Sequence, residues 1–151
     1  VTRCFIDSNI VVYANDTKAG AKQDKAIEAI SACMTGGNGV VSVQVLQEYA
    51  NIALKKLEQE PSVVMRQLKL LEALSVVIPS PKSVRRAVEI RETYRISFWD
   101  AGIIAAAEDA DCEVIFSEDL NAGQYYAGIA AVNPLLDEVD PWEYAPGSAG
   151  Q

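Results

Sequence analysis

The feature that most restricts the fold is an alternation. Short runs of β-branched and aromatic residues are separated by stretches long enough, and periodic enough, to be helices. The strand-like runs are Arg3 to Ile6, Val40 and Val41, Val76 to Ile78, Val114 to Phe116, and Ile129 to Val132. Between them, Ile27, Ile30 and Met34 form one helical stripe, Leu46, Ala50, Ala53, Leu54 and Leu57 a second, and Val64, Leu68 and Leu71 a third. Further helices are expected at 10–14, 83–94 and 97–109, the last opened by Ser97 and Asp100 at capping-box spacing. Strands that alternate with helices need crossover connections, so a mostly parallel sheet of five strands covered on both faces is expected. That is an α/β fold of three layers.

Such a sheet places its ligand site beyond the carboxyl ends of its strands. Four acids stand at the strand-to-helix junctions or in the first turns of the helices that follow: Asp7 after the first strand, Glu48 after the second, Asp100 near the start of the Ala-rich helix, and Asp119 after Val114 to Phe116. Each has a structural reading. Asp7 caps a helix, Asp100 completes a capping box, Asp119 sits in a turn and Glu48 is a helix-surface acid. Position favours a functional one. Glu48 lies among Val45, Tyr49 and Ile52, and Asp100 shares a face with Ile103, Ile104 and Ala107, so both point toward the sheet. Inward carboxylates are costly unless paired or metal-bound, and a hard divalent cation is the simplest neutraliser of four.

With 151 residues, half of them hydrophobic, the chain supports one domain, expected over 1–134. The acidic, Pro- and Gly-containing segment 135–151 is expected to be loosely ordered, with Trp142 and Tyr144 as residues able to dock. No apolar run approaches the roughly 20 residues of a membrane span. The chain enters a strand-like run almost at once, so no secretory leader is expected and a cytoplasmic location follows. Cys4, Cys33 and Cys112 are scattered among apolar neighbours and read as buried thiols, and the lack of histidine disfavours zinc. A net charge of -8 argues against a nucleic-acid grip spread over the surface. Lys82, Arg85, Arg86, Arg91 and Arg95 nevertheless gather in one stretch, which reads either as a local phosphate track or as a solvated helix face interleaved with Glu89 and Glu92.

In four segments the chain resembles the PIN-domain nucleases, and within them the toxin subunits of VapBC toxin–antitoxin pairs. They are Phe5-Ile6-Asp7-Ser8-Asn9-Ile10, Ser42 to Glu48, Trp99-Asp100-Ala101 and Phe116-Ser117-Glu118-Asp119-Leu120. The resemblance implies a five-stranded parallel sheet between helices and a metal-dependent endoribonuclease acting on RNA such as tRNA or rRNA. It makes Asp7, Glu48, Asp100 and Asp119 the acidic quartet for Mg²⁺ or Mn²⁺, with Asn9 and Ser117 in supporting positions. Glu118 competes with Asp119 for the metal, and the Ser/Thr-x-Asp pattern favours Asp119. A small antitoxin partner and a homodimer are also implied, as are products with a 5′-phosphate and a 3′-hydroxyl. The alternatives are an inactive PIN-like module that only binds RNA or protein, and a metal-dependent phosphatase using Asp7 as nucleophile. The second usually wants another acid two residues on, where this chain has Asn9.

Overall fold

The computed structural model describes residues 2–146. The strands are β1 (Cys4–Ile6), β2 (Gly39–Ser42), β3 (Ser75–Val77), β4 (Val114–Phe116), β5 (Tyr125–Tyr126) and β6 (Ile129–Val132). The helices are α1 (Ser8–Ala14), α2 (Ala21–Gly36), α3 (Val43–Lys55), α4 (Pro61–Leu71), α5 (Pro81–Tyr94) and α6 (Phe98–Asp109), followed by a 3₁₀ turn at Pro141–Tyr144. They build one six-stranded sheet in the order β3-β2-β1-β4-β6-β5, parallel except for the β5–β6 pair. Phe5, Ile6, Val40, Val41, Ile115 and Phe116 are fully buried, as consecutive residues must be where helices cover both faces of a strand.

The extra strand corrects the expected count of five. β5 is two residues long, too short to show an alternating pattern, and exists because a tight turn through Ala127 and Gly128, both at positive φ, folds it back on β6. Tyr94 stabilises this hairpin from α5: its hydroxyl accepts the Ala127 amide at 2.7 Å and its ring lies 5.3 Å from that of Tyr126.

The buried side of α2 also departs from expectation. Its core residues are Ala26, Ala29, Ala32 and Cys33, whereas Ile27 is 44% exposed. Small residues let α2 approach α1 and the sheet closely, a signal that a search for bulky apolar stripes passes over. On α3 the buried residues are Val45, Tyr49 and Ala53, and Leu54 faces out. All three cysteines are free and buried. Among the described residues, no helix is long and apolar enough to cross a membrane.

Beyond Asn133 the chain is tied to the domain rather than loose as far as Pro146. Leu135 and Pro141 are buried, the Tyr144 ring meets Phe116 edge-on at 5.4 Å, and the side-chain amide of buried Asn38 donates to the carbonyls of Thr2 and Tyr144. The rest of the expected tail, 147–151, lies outside the described residues.

Close packing makes Gly39, at the start of β2, intolerant of a side chain. A Cβ there would stand 2.6 Å from Leu74 Cδ2 and 2.8 Å from Cys33 Cβ. Gly39→Ala is expected to lower stability by about 1–3 kcal/mol, the usual range for overpacking. A drop in the urea midpoint at unchanged m-value is the measurement that checks it.

Candidate active site

The chain runs from β1 outward through β2 to β3, then returns to the other side of β1 with β4 and β6. The carboxyl ends of β1 and β4 therefore flank a topological switch point, where adjacent crossovers diverge and leave a crevice. Asp7 is the first residue after β1 and Ser117 the first after β4, and the Asp7 amide continues the ladder by donating to the Phe116 carbonyl at 3.0 Å.

Asp7 is 4% exposed and caps α1, its Oδ1 accepting the Ser8 amide at 2.7 Å. Oδ2 accepts the Ser117 hydroxyl at 2.8 Å and lies 3.2 Å from Asn9 Nδ2. That amide nitrogen is also 3.2 Å from Asp119 Oδ2, and the Asn9 side-chain Oδ1 accepts the Glu118 backbone amide at 3.1 Å. Ser117 Oγ accepts the Asp119 amide at 3.1 Å. Asn9 and Ser117 thus lock the turn after β4 to the start of α1 and hold Asp7 and Asp119 side by side.

The other two acids arrive on helices. Ser42, at the end of β2, caps α3 through the Val45 amide, and Glu48 follows on that helix, half-buried between core residues Val45 and Tyr49. Gln44, one turn earlier, donates to Glu48 Oε1 at 3.3 Å. Ser97 caps α6 by accepting the Asp100 amide at 3.0 Å, which places half-buried Asp100 in the first turn.

The electrostatics show that these four carboxylates share one field. Burial pushes Asp7 up to about 6, opposed by the hydrogen bonds from Ser117 and Ser8 and reinforced by the charges of Asp100 and Asp119. Glu48 is raised by burial and then by Asp7 and Asp100, and Asp100 by burial and then by Asp119. Glu118 behaves differently. Burial alone would raise it, but Lys22, at 2.7 Å from Oε2, and the Tyr13 hydroxyl, at 2.6 Å from Oε1, outweigh that and hold it below its usual range. Both its oxygens are taken, which leaves Asp119 as the acid of this turn that joins the cluster.

A cavity of about 670 Å³ opens beside the acids, with Asn9, Glu48 and Asp119 in its lining together with Lys18 and Lys56. That is the size of a small-molecule site, roughly 300–1,000 Å³. Lys82, Arg85 and Arg86 lie on α5 and do not line it. Arg86 is instead forked onto Glu108 at 2.7 and 3.1 Å and reaches Glu89 at 3.0 Å. The residues that sequence reasoning passed over are Tyr13, Lys22 and Gln44. Only Gln44, four residues before Glu48 on one helix face, left a readable signal.

The donor set suits a hard divalent cation: oxygen ligands only, an excess of negative charge, and a member whose pKa is raised by burial and by its acidic neighbours. Among the described residues, no three acidic or cysteine side chains converge closely enough to cage an ion directly.

A mostly parallel α/β sheet with carboxylates gathered at its switch point is the class of α/β protein whose ligand site lies beyond the carboxyl ends of its strands. The PIN domain family model matches residues 4–127, and the chain belongs to that family. No curated protein matches the sequence. Among solved structures, the chain is similar to a toxin-antitoxin complex from Klebsiella pneumoniae, with a TM-score of 0.66, 21% identity, and coverage of 87% of this chain and 97% of that one. It is also similar to Mycobacterium tuberculosis VapC20, described as a Sarcin-Ricin loop cleaving toxin, with a TM-score of 0.57, 16% identity, and coverage of 77% and 91%. At these identities the likeness is one of fold.

Proposed function

We propose that this PIN-domain protein is a Mg²⁺- or Mn²⁺-dependent endoribonuclease, the toxin of a type II toxin–antitoxin pair. The observation that carries the reading is geometric: Asn9 and Ser117 hold Asp7 and Asp119 side by side at the switch point of the sheet, with Glu48 and Asp100 brought close enough by α3 and α6 to feel the charges of that pair. Asp7, Asp100 and Asp119 would hold the ion, partly through water, with Glu48 completing the cluster. When bound, such an ion lowers the pKa of water and neutralises charge on a phosphodiester. Ser117 and Asn9 keep Asp7 and Asp119 in register. Glu48, raised by its surroundings, is suited to orient the attacking water and accept its proton. Lys18 and Lys56 in the same cavity offer phosphate contacts on an otherwise acidic protein. The substrate is RNA of the tRNA or rRNA class, in keeping with the RNA-cleaving description of one structural neighbour. A small antitoxin and a second copy of the chain are the expected partners, in the cytoplasm.

The test is cleavage of total tRNA and rRNA by purified protein in Mg²⁺ or Mn²⁺, beside an EDTA control and Asp100→Asn. Cleavage by the wild type alone, leaving 5′-phosphates and 3′-hydroxyls, is expected, with the variant at least a hundredfold slower, within the usual ~10²–10⁴ range for such groups. A 2′,3′-cyclic phosphate product, or activity that survives EDTA, would overturn the reading.

A further inference from the structure

Glu48 borders two recesses. One is the cavity already described; the other is a shallower hollow of about 320 Å³ lined by Gln44, Gln47, Glu48, Asn51 and Trp99. Trp99 is the residue before Asp100, and it is 65% exposed. A single exposed aromatic is ordinary on a protein surface, but this one stands beside a cluster carboxylate in a recess that it shares with two exposed carboxamides.

The backbone that carries the indole is also held in place. The ring stands edge-on to Phe98 at 5.3 Å and 79°. The Trp99 backbone carbonyl accepts from Gln44 Nε2 at 2.9 Å, the same amide that reaches Glu48. Gly102, one turn along α6, admits this contact: a Cβ there would come within 2.7 Å of Gln44 Oε1. Gln44 therefore joins the frame of the indole to that of a cluster carboxylate. Gln47 and Asn51 are exposed, four residues apart on one face of α3, and each carboxamide offers both a donor and an acceptor.

We propose that this hollow is a nucleobase-binding site, in which the Trp99 indole stacks on the base flanking the phosphate at the acid cluster and Gln47 and Asn51 bond its edge. The inference rests on the ribonuclease reading and deepens it. A flat π-face bordered by amides matches a base, which is aromatic on its faces and polar at its rim. An adjoining recess that shares Gln44, Gln47 and Trp99 is lined by Val84, Ala87 and Phe98, so an apolar anchor of a protein partner is the competing occupant; the exposed carboxamides of Gln47 and Asn51 beside the indole favour a base. Because Gln44 ties Trp99 to Glu48, the base would be positioned relative to the reacting phosphate, which turns stacking into choice of cleavage site.

The test is single-turnover cleavage of a short RNA, and of copies carrying one abasic nucleotide walked along it, by wild type, Trp99→Ala and Trp99→Phe. Wild type is expected to need about tenfold more enzyme for half-maximal cleavage when the abasic position falls beside the cut, in line with base–aromatic stacking. Trp99→Ala should show that loss on intact RNA and no further loss from the abasic copy, with Trp99→Phe close to wild type. If Trp99→Ala cleaves intact RNA as well as wild type, or if the abasic loss persists undiminished in it, the site is not a base site. A Trp99→Ala effect confined to self-association in sedimentation would assign the surface to a protein interface and likewise overturn the proposal. Wild type that cleaves no RNA at all defeats the underlying reading; wild type that cleaves without the Trp99 coupling defeats this inference alone.

Discussion

Asp7→Asn is expected to cut RNA at least a hundredfold more slowly than wild type while remaining fully folded. The substitution is close to isosteric, and its carboxamide oxygen can still cap α1 through the Ser8 amide. What it removes is the charge of the most buried acid in the cluster, together with the Oδ2 acceptor to which Ser117 and Asn9 donate. A loss of ~10²–10⁴ is usual for a group in this position. Single-turnover rates beside circular dichroism spectra check it. Glu118→Gln makes the informative comparison. Glu118 spends both oxygens on Tyr13 and Lys22, so its neutralisation should cost less than tenfold. An equal loss at the two positions would place Glu118 at the ion instead.

The same variant should be more stable than wild type at neutral pH in EDTA. Asp7 is raised from 3.8 to about 6 in the folded protein, so the folded state holds its proton over a range where the unfolded chain has released it. Stability from this group is therefore full below about pH 4, falls as pH rises toward 6, and stays reduced above that. The difference in pKa corresponds to on the order of 2–3 kcal/mol. Glu48 and Asp100 act in the same direction, whereas Glu118, held low, acts in the opposite one. Comparing variant with wild type isolates Asp7. Urea unfolding in EDTA at stepped pH should show wild type losing more stability between pH 4 and 7 than Asp7→Asn does, and Mg²⁺ or Mn²⁺ should restore wild type preferentially. Parallel pH profiles for the two proteins would mean that Asp7 is not strained by its surroundings.

Local signals made most of the layout readable. The strands β1, β2, β3, β4 and β6 announced themselves as β-branched and aromatic runs, and Ser42 and Ser97 marked the starts of α3 and α6 as caps. Asp7 and Asp119 were legible because an α/β sheet has one edge where ligands bind, so a carboxylate just after a strand is already half placed, whereas Glu48 and Asp100 showed only as acids on the inward faces of α3 and α6. Tyr125 and Tyr126 were not legible as a strand, since pairing with β6 and support from Tyr94 make it one. The alanine face of α2 was hidden because close approach is a property of two elements together. The docking of Tyr144 depends on Asn38, far away in sequence, and no periodicity reports such a pair.

The sequence by itself determined the alternation of strands and helices, the parallel sheet that follows from crossovers, and which acids sit at its carboxyl edge. These depend on residues within a few positions of one another and on the chirality and reach of the chain. The tertiary structure alone decided that Lys22 and Tyr13 occupy Glu118 while Asn9 bridges Asp7 and Asp119, that Arg86 is committed to Glu108, and that Trp99 stands exposed beside Glu48. Each is a choice among partners of similar chemistry. Such choices turn on distances of a few ångströms between side chains far apart in sequence, which only packing sets.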